Sequence, residues 1–459
     1  MEAFWGSEVW GLCSLMAILL IALLVANAMK RSIRFFKRSL IPTSVLAGIL
    51  LLIFAGIWDA AFSKPFFETN MFGGRGYAML EIITYHALAL GFIASTLKGG
   101  KGRITKRRTA EIFNTGVTTV STYLLQGIFG LGITLIASYA LSDFFAAAGV
   151  LLPFGYGQGT GQAMNYGNIY ELEHGFAGGK SFGLTVAALG FLSASLGGVV
   201  HLNFLRHKKR ITDYDEDGAH QAECVEEQNE IPMQGSIDKL TVQVALVSVS
   251  YLLAYLLMFI LGELLPGMKA TVYGFNFLLG VLSAVLVKAL LSLFKRAGWM
   301  KKEHRNNFLL TRVSNVCFDM MVVAGIAAIR FGLLEDYWGI IAILAVTGLV
   351  ITYIYNRIVA KVLFPRYSEQ QFLMMYGMLT GTASTGTILL REIDGEFRSP
   401  AADNMVYQNF PAIVFGFPMM FLATFAPGNE VLTLIIFVLF FAVMNVILFR
   451  TKIFKKKKK

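Results

Sequence analysis

Apolar runs of about 20 residues recur along this chain, parted by short polar clusters, and a buried backbone in hydrocarbon satisfies such a run only as a helix. The pattern predicts eleven membrane-spanning helices, near 8–29, 39–58, 76–97, 112–139, 180–202, 240–262, 271–293, 307–331, 336–363, 404–424 and 429–449. Two other segments, 145–170 and 368–392, are less apolar and rich in Gly and Thr. They read as hairpins that dip into the membrane and return to the side they left. The stretch 203–238 carries Asp213, Asp215, Glu216, Asp217, Glu223, Glu226, Glu227 and Glu230 without apolar periodicity. It reads as a flexible, acidic cytoplasmic linker.

The basic residues test this count. With the N-terminus outside, 30 of the 40 Lys and Arg fall in loops on one side. The other side receives Lys64, Arg75, Lys180, Lys269 and Arg330, the asymmetry that the positive-inside rule expects. Making either hairpin a full span would break the alternation. Composition agrees, with 56% hydrophobic and 15% charged residues, where a soluble domain carries about 25% charged. A soluble enzyme, a disordered chain and a disulfide scaffold are excluded. The net charge of +11 lies in clusters between apolar runs and implies no nucleic acid. Cys13, Cys224 and Cys317 form no metal or disulfide pattern. No Walker A motif, zinc dyad or nucleophile elbow points to an enzyme. The terminal run Lys455 to Lys459 reads as an anchor to anionic lipid heads.

The chain halves at the linker. Helices starting at 8, 39, 76 and 112 lead into a Gly-rich hairpin and the helix at 180. Helices starting at 240, 271, 307 and 336 lead into the second hairpin and the helix at 404. Five helices precede the second set, so it enters the membrane in the opposite sense. The expected fold is an all-α polytopic membrane protein with two inverted five-helix repeats. They occupy 1–202 and 239–424, each with a re-entrant hairpin, and 425–459 adds one more transmembrane helix and the tail. Inverted repeats with broken elements mark alternating-access secondary transporters.

The first hairpin contains Gly155-Tyr156-Gly157-Gln158-Gly159-Thr160-Gly161-Gln162, and the second Gly377-Met378-Leu379-Thr380-Gly381-Thr382-Ala383-Ser384-Thr385. Uncovered amides and hydroxyls at such tips can hold a carboxylate, and hydroxyl and carbonyl oxygens can hold Na⁺. Candidate substrate contacts are therefore Gly157, Gln158, Gly159, Thr160, Gly161, Gln162, Thr380, Gly381, Thr382, Ser384 and Thr385. Asn404 and Gln408 join them from one face of the following helix, where Pro411 and Pro418 predict a bend. Asp319 lies mid-span with Asn315 one turn before it. An intramembrane carboxylate is costly unless paired or bound to a cation, so both are candidates for cation binding or coupling. A structural partner for Asp319, such as Arg312, is the alternative. His86 reads as a hydrogen-bonded structural residue, and Arg391 as either a carboxylate clamp or a cytoplasmic anchor.

The hairpins resemble those of the bacterial sodium/glutamate symporters. The first loop of that family has a GHGTG-like core, matched by Gly157 to Gly161 with Gln158 in place of His. Its second loop resembles GxGxGATPT, which falls on Gly377 to Thr385. Here Leu379 stands for a Gly, Thr382-Ala383 for Ala-Thr, and Ser384 for Pro. The resemblance extends over roughly 5–425. It implies sodium-coupled symport of glutamate or a related small carboxylate in the bacterial cytoplasmic membrane, where the charge pattern puts the C-terminus on the cytoplasmic side. Sodium would be the coupling ion, with no cofactor. Partners would be the carboxylate, Na⁺ and membrane lipid but no nucleic acid, and a homodimer is left open. The rival readings are another organic anion or proton coupling, a channel, and a sensor that binds without transporting.

Overall fold

The computed structural model describes residues 4–99, 105–141, 144–207, 230–233, 237–395 and 397–453. The acidic run 213–227 and the terminal Lys455 to Lys459 lie outside the described residues. In chain order the helices are α1 (Ser7–Ser32), α2 (Arg34–Arg38), α3 (Thr43–Phe62), α4 (Gly76–Leu97), α5 (Lys106–Ala140), α6 (Leu151–Gln158), α7 (Thr160–His174) and α8 (Gly179–His207). Then come α9 (Lys239–Leu264), α10 (Lys269–Gly274), α11 (Asn276–Arg296), α12 (Asn307–Ala327), α13 (Trp338–Leu363), α14 (Ser368–Thr380) and α15 (Ala383–Arg391). The last are α16 (Ala401–Tyr407), α17 (Asn409–Phe425) and α18 (Glu430–Ile453). No strand occurs among the described residues, only one isolated bridge between Glu230 and Glu303.

Ten helices among the described residues are long and apolar enough to cross a membrane, and eleven if the bent pair α16–α17 counts as one span. The protein is multi-pass. The bend of 54° falls just before Pro411, whose ring clashes with the carbonyl of residue 407 and lacks an N–H to bond it. The predicted span 39–58 instead begins at Thr43. Leu40 takes a left-handed φ of 56°, and Pro42 fits a helix start rather than an interior. Helix α5 has 35 residues, about 52 Å at 1.5 Å per residue, and exceeds a hydrocarbon core of about 30 Å. Its first turn holds Lys106, Arg107 and Arg108, capped by the Thr105 hydroxyl accepting from the Arg108 N–H at 3.3 Å.

The chain forms two compact units, each drawing on both halves of the sequence. The first combines Met1–Leu20, Ala55–Arg103 and Gln221–Gly325. Its core packs Ile93, Ala94 and Leu97 of α4 against Val247 of α9, Ala284 and Val287 of α11, and Leu310 of α12. At one end Lys239, fully buried, donates to Glu230 Oε2 at 2.8 Å. Asn306 Nδ2 donates to the same oxygen at 2.7 Å. The sequence reading of Glu230 as part of a solvated acidic run is overturned here. The residue is a buried ion-pair partner, and burial there is sustained by the second hydrogen bond.

The second unit combines Ile21–Phe54, Ile104–His220 and Ile326–Lys459, and contains both Gly-rich segments. It is built on backbone-to-backbone contacts that side chains would block. The Gly149 carbonyl occupies the space where a Cβ on Gly130 of α5 would stand. Thr134, one turn further on, donates to the Ala146 carbonyl at 2.6 Å and accepts from the Gly149 N–H at 3.0 Å. Gly167 of α7 lies on the Gly179 carbonyl of α8, and Gly183 of α8 on the Ala163 carbonyl of α7.

These contacts make the glycines unequal. Gly130→Val should lower the thermal unfolding midpoint of the purified protein, at a cost of about 1–3 kcal/mol from overpacking. Gly132→Ala, two residues on in open space, should leave it unchanged or slightly raised. Equal midpoints for the two variants would contradict the packing described.

Candidate functional site

Each Gly-rich segment folds as two short helices joined at a break. In the first, α6 and α7 meet at Gly159, whose φ of 82° and ψ of −170° suit glycine. The Phe154 and Tyr166 rings stack across the pair with centroids 3.9 Å apart, so the two helices run antiparallel. In the second, α14 and α15 part at Gly381 and Thr382. A Cβ on Gly377 would stand 2.7 Å from the Gly386 Cα, so these arms touch through bare backbone.

The two tips adjoin. A Cβ at 159 would stand 3.6 Å from the Thr382 methyl and 4.0 Å from the Gly381 carbonyl oxygen, with the Phe191 ring of α8 at 3.9 Å. Four helix ends come together: the C-termini of α6 and α14 and the N-termini of α7 and α15. N-terminal amides favour an anion, and C-terminal carbonyls favour a cation or an ammonium. No Asp, Glu, Lys or Arg occurs in 112–140, 144–170, 181–205, 338–356, 370–390 or 404–429. These segments therefore bring only neutral dipoles to the tips.

The expected residues fall as follows. Gly157, Gly159, Thr160, Gly161 and Gln162 are buried, and Gln158 is half-buried. Tyr123 donates to the Gly157 carbonyl at 2.9 Å. Gln162, 1% exposed, has neither amide nitrogen nor amide oxygen hydrogen-bonded. It lies in the first turn of α7, next to the break. Thr380 is buried and donates to the Tyr376 carbonyl at 2.6 Å. Thr382 caps α15 by accepting from the Thr385 N–H at 3.4 Å, Thr385 is buried, and Ser384 is exposed. Gln408 is buried, accepting from Thr119 Oγ1 at 2.9 Å and lying 3.6 Å from the Met378 sulfur, near the second tip. Asn404 instead bonds the Tyr367 hydroxyl and Gln371 Oε1, at 3.0 and 3.1 Å. That position is about 15 Å along α14 from the tip, at 1.5 Å per residue.

Asn315 and Asp319 belong to the first unit, on α12, and the hairpins to the second; Asn315 is exposed and Asp319 half-buried. His86 Nδ1 hydrogen-bonds the Tyr251 hydroxyl at 2.6 Å, consistent with a structural residue. The Arg391 guanidinium sits over the Phe397 ring at 5.3 Å. Among the described residues no three His, Cys, Asp or Glu converge to hold a metal.

Sequence reasoning missed the seam between α5 and α13. Gln126 Nε2 donates to Thr352 Oγ1 at 2.8 Å and to the Leu379 carbonyl, beside the second tip, at 2.9 Å. Asn356 Nδ2 donates to Thr122 Oγ1 at 3.3 Å and to the Thr352 carbonyl at 3.0 Å. The signal was present as polar residues four apart in apolar runs: Thr118, Thr122 and Gln126, then Thr352 and Asn356.

Taken together, these features define a multi-pass helical membrane protein with two broken hairpins meeting at charge-free tips. The sequence matches the sodium/glutamate symporter family over residues 11–369, and the chain belongs to that family, a family of transporters. The match takes in the first hairpin and ends at the start of α14, short of the 425 that the motif resemblance reached. Comparison with curated proteins gives no match.

The isolated Gln162 amide generates a test. A buried polar group without partners destabilises a fold by about 1–3 kcal/mol. Gln162→Met keeps the volume and removes the polar atoms, so the unfolding midpoint without added ligand should stay level or rise. A marked fall would show that the amide holds the fold together.

Proposed function

We propose that this protein carries glutamate or a related small carboxylate across the bacterial cytoplasmic membrane together with Na⁺, by alternating access. The observation that carries the reading is the adjoining of the two hairpin tips around glycine backbone, with the unbonded Gln162 amide one turn away. Membership of the sodium/glutamate symporter family supports it independently.

On this reading the hairpins are re-entrant, and they enter from opposite sides because they belong to two inverted repeats, 1–202 and 239–424. The N-terminus is outside and the C-terminus cytoplasmic, as the positive-inside charge pattern favours. The substrate carboxylate binds between the tips, against the first-turn amides of α7 and α15 and the Gln162, Thr382 and Thr385 side chains. Carbonyls ending α6 and α14 receive the ammonium group. Bound Na⁺ raises affinity for the carboxylate by linkage, so only the loaded and empty forms reorient. Irregular backbone at membrane depth is tolerable where it lines such a cavity.

A second reading, proton coupling, is favoured by one observation, the half-buried Asp319 within α12. Sodium dependence separates the two. Proteoliposomes under an inward Na⁺ gradient should accumulate labelled glutamate above equilibrium and lose accumulation when choline replaces Na⁺. Uptake that instead follows a pH gradient would favour the second reading, and flux of another acid would change the substrate.

A pair of glycines tests the site itself. Gly175→Ala puts alanine into the left-handed helical region, at φ 68° and ψ 20°, at a cost of about 1–2 kcal/mol; Gly159→Ala puts it at φ 82° and ψ −170°, a region essentially kept for glycine, at a cost of about 1–3 kcal/mol. Gly175 ends α7 in open space, remote from the tips. Both variants should lose stability, Gly159→Ala the more, while uptake per folded protein should fall about tenfold or more only for Gly159→Ala, as displacement of a binding backbone implies. Equal loss of uptake in both would refute a role for the tips.

A further inference from the structure

The seam between α5 and α13 contains two oxygens that the fold leaves unused. The amide orientation of Gln126 follows from its partners, because the Leu379 carbonyl can only accept and so requires the Nε2 side. The Thr352 carbonyl orients Asn356 in the same way. This identifies the other atom of each amide, Gln126 Oε1 and Asn356 Oδ1, as its oxygen, and both atoms are buried without any hydrogen bond. Gln126 is 0% exposed and Asn356 1%. The hydroxyls of Thr122 and Thr352, each 0% exposed, lie along the same seam, one turn before Gln126 and Asn356 respectively. Both hydroxyls are already engaged as acceptors by the amides, yet each oxygen has two lone pairs.

We infer that this seam is a monovalent-cation site, with Gln126 Oε1, Asn356 Oδ1, Thr122 Oγ1 and Thr352 Oγ1 as its oxygen donors and Na⁺ as the ion it takes. The inference rests on the symport reading and gives its cation a location. Four neutral oxygens with no carboxylate among them suit a small monovalent ion. A divalent ion would require carboxylates to offset its desolvation. Through Gln126, the site is one hydrogen bond from the Leu379 carbonyl, two residues before Gly381. A cation drawing on Oε1 polarises the same amide that holds this carbonyl, which links ion binding to the geometry of the second tip without direct contact between ion and carboxylate.

The test uses the full chain in detergent or nanodiscs without substrate. The unfolding midpoint is followed as NaCl replaces choline chloride at constant ionic strength, with KCl in parallel. Wild type should gain stability with Na⁺ in a saturable way. Asn356→Leu and Thr352→Val should each raise the Na⁺ concentration for half response about tenfold or more, and Thr352→Ser should stay within about twofold of wild type. Asn356→Asp should fold in Na⁺ and respond at lower Na⁺, because its charge is then balanced by the ion.

Wild-type Na⁺ response in Asn356→Leu and Thr352→Val would overturn the site while leaving symport intact. If Asn356→Leu does not fold, Asn356→Asp decides: an unchanged half response, or failure to fold in saturating Na⁺, would overturn it. A wild type blind to Na⁺ that accumulates substrate on a proton gradient would sink the symport reading and the site together, which distinguishes the two failures.

Discussion

A peptide group held away from water must find a partner, and this protein breaks its helices where water is scarce. The arrangement of the second unit follows from meeting that demand. Tyr123 donates to the Gly157 carbonyl at the end of α6, and Gln126 to the Leu379 carbonyl near the end of α14. Tyr156 reaches the Ala345 carbonyl at 2.7 Å, Tyr376 the Ser193 carbonyl at 2.8 Å, and Tyr166 the Met420 carbonyl at 2.8 Å. Tyr170 donates to Ala423 at 2.7 Å, whose carbonyl loses its usual helical donor because residue 427 is proline. A phenol suits this task, with a rigid apolar ring to pack and one donor at its tip. The breaks are thus tied to specific residues on neighbouring helices, which also fix where the tips lie.

Much of the architecture was legible in the sequence because membrane burial writes a coarse signal. Runs such as 430–449 can only be buried helices, and the Lys and Arg clusters order them. The hairpins were legible as departures from that signal, since glycine and threonine accumulate where the apolar run fails. Boundaries set by local geometry were less legible: α3 starts four residues late because of Leu40 and Pro42. The interleaving of the two halves into two compact units was not legible, because it depends on which apolar faces pair and most apolar faces look alike.

The site was legible in part. Glycine at 159 and polar groups around it could be read directly. Gln126 and Asn356 could not be ranked, because a lone amide in an apolar helix more often meets a neighbour than a ligand. What distinguishes them is an oxygen with no donor, a property of the assembled helices. Glu230 shows the opposite error: an acid within an acidic run was assumed solvated, although Lys239 and Asn306 bury it.

The lack of any formal charge around the tips bears on how such a carrier would meet the membrane potential. A binding site lined by fixed charges carries them through the field on every reorientation, loaded or empty. A neutral site carries only its cargo. In a transporter built this way the empty return step is electrically silent, and voltage acts on the loaded step in proportion to the cations bound beyond the substrate's own charge. Dipoles in place of ions would thus make the current a direct count of what is transported.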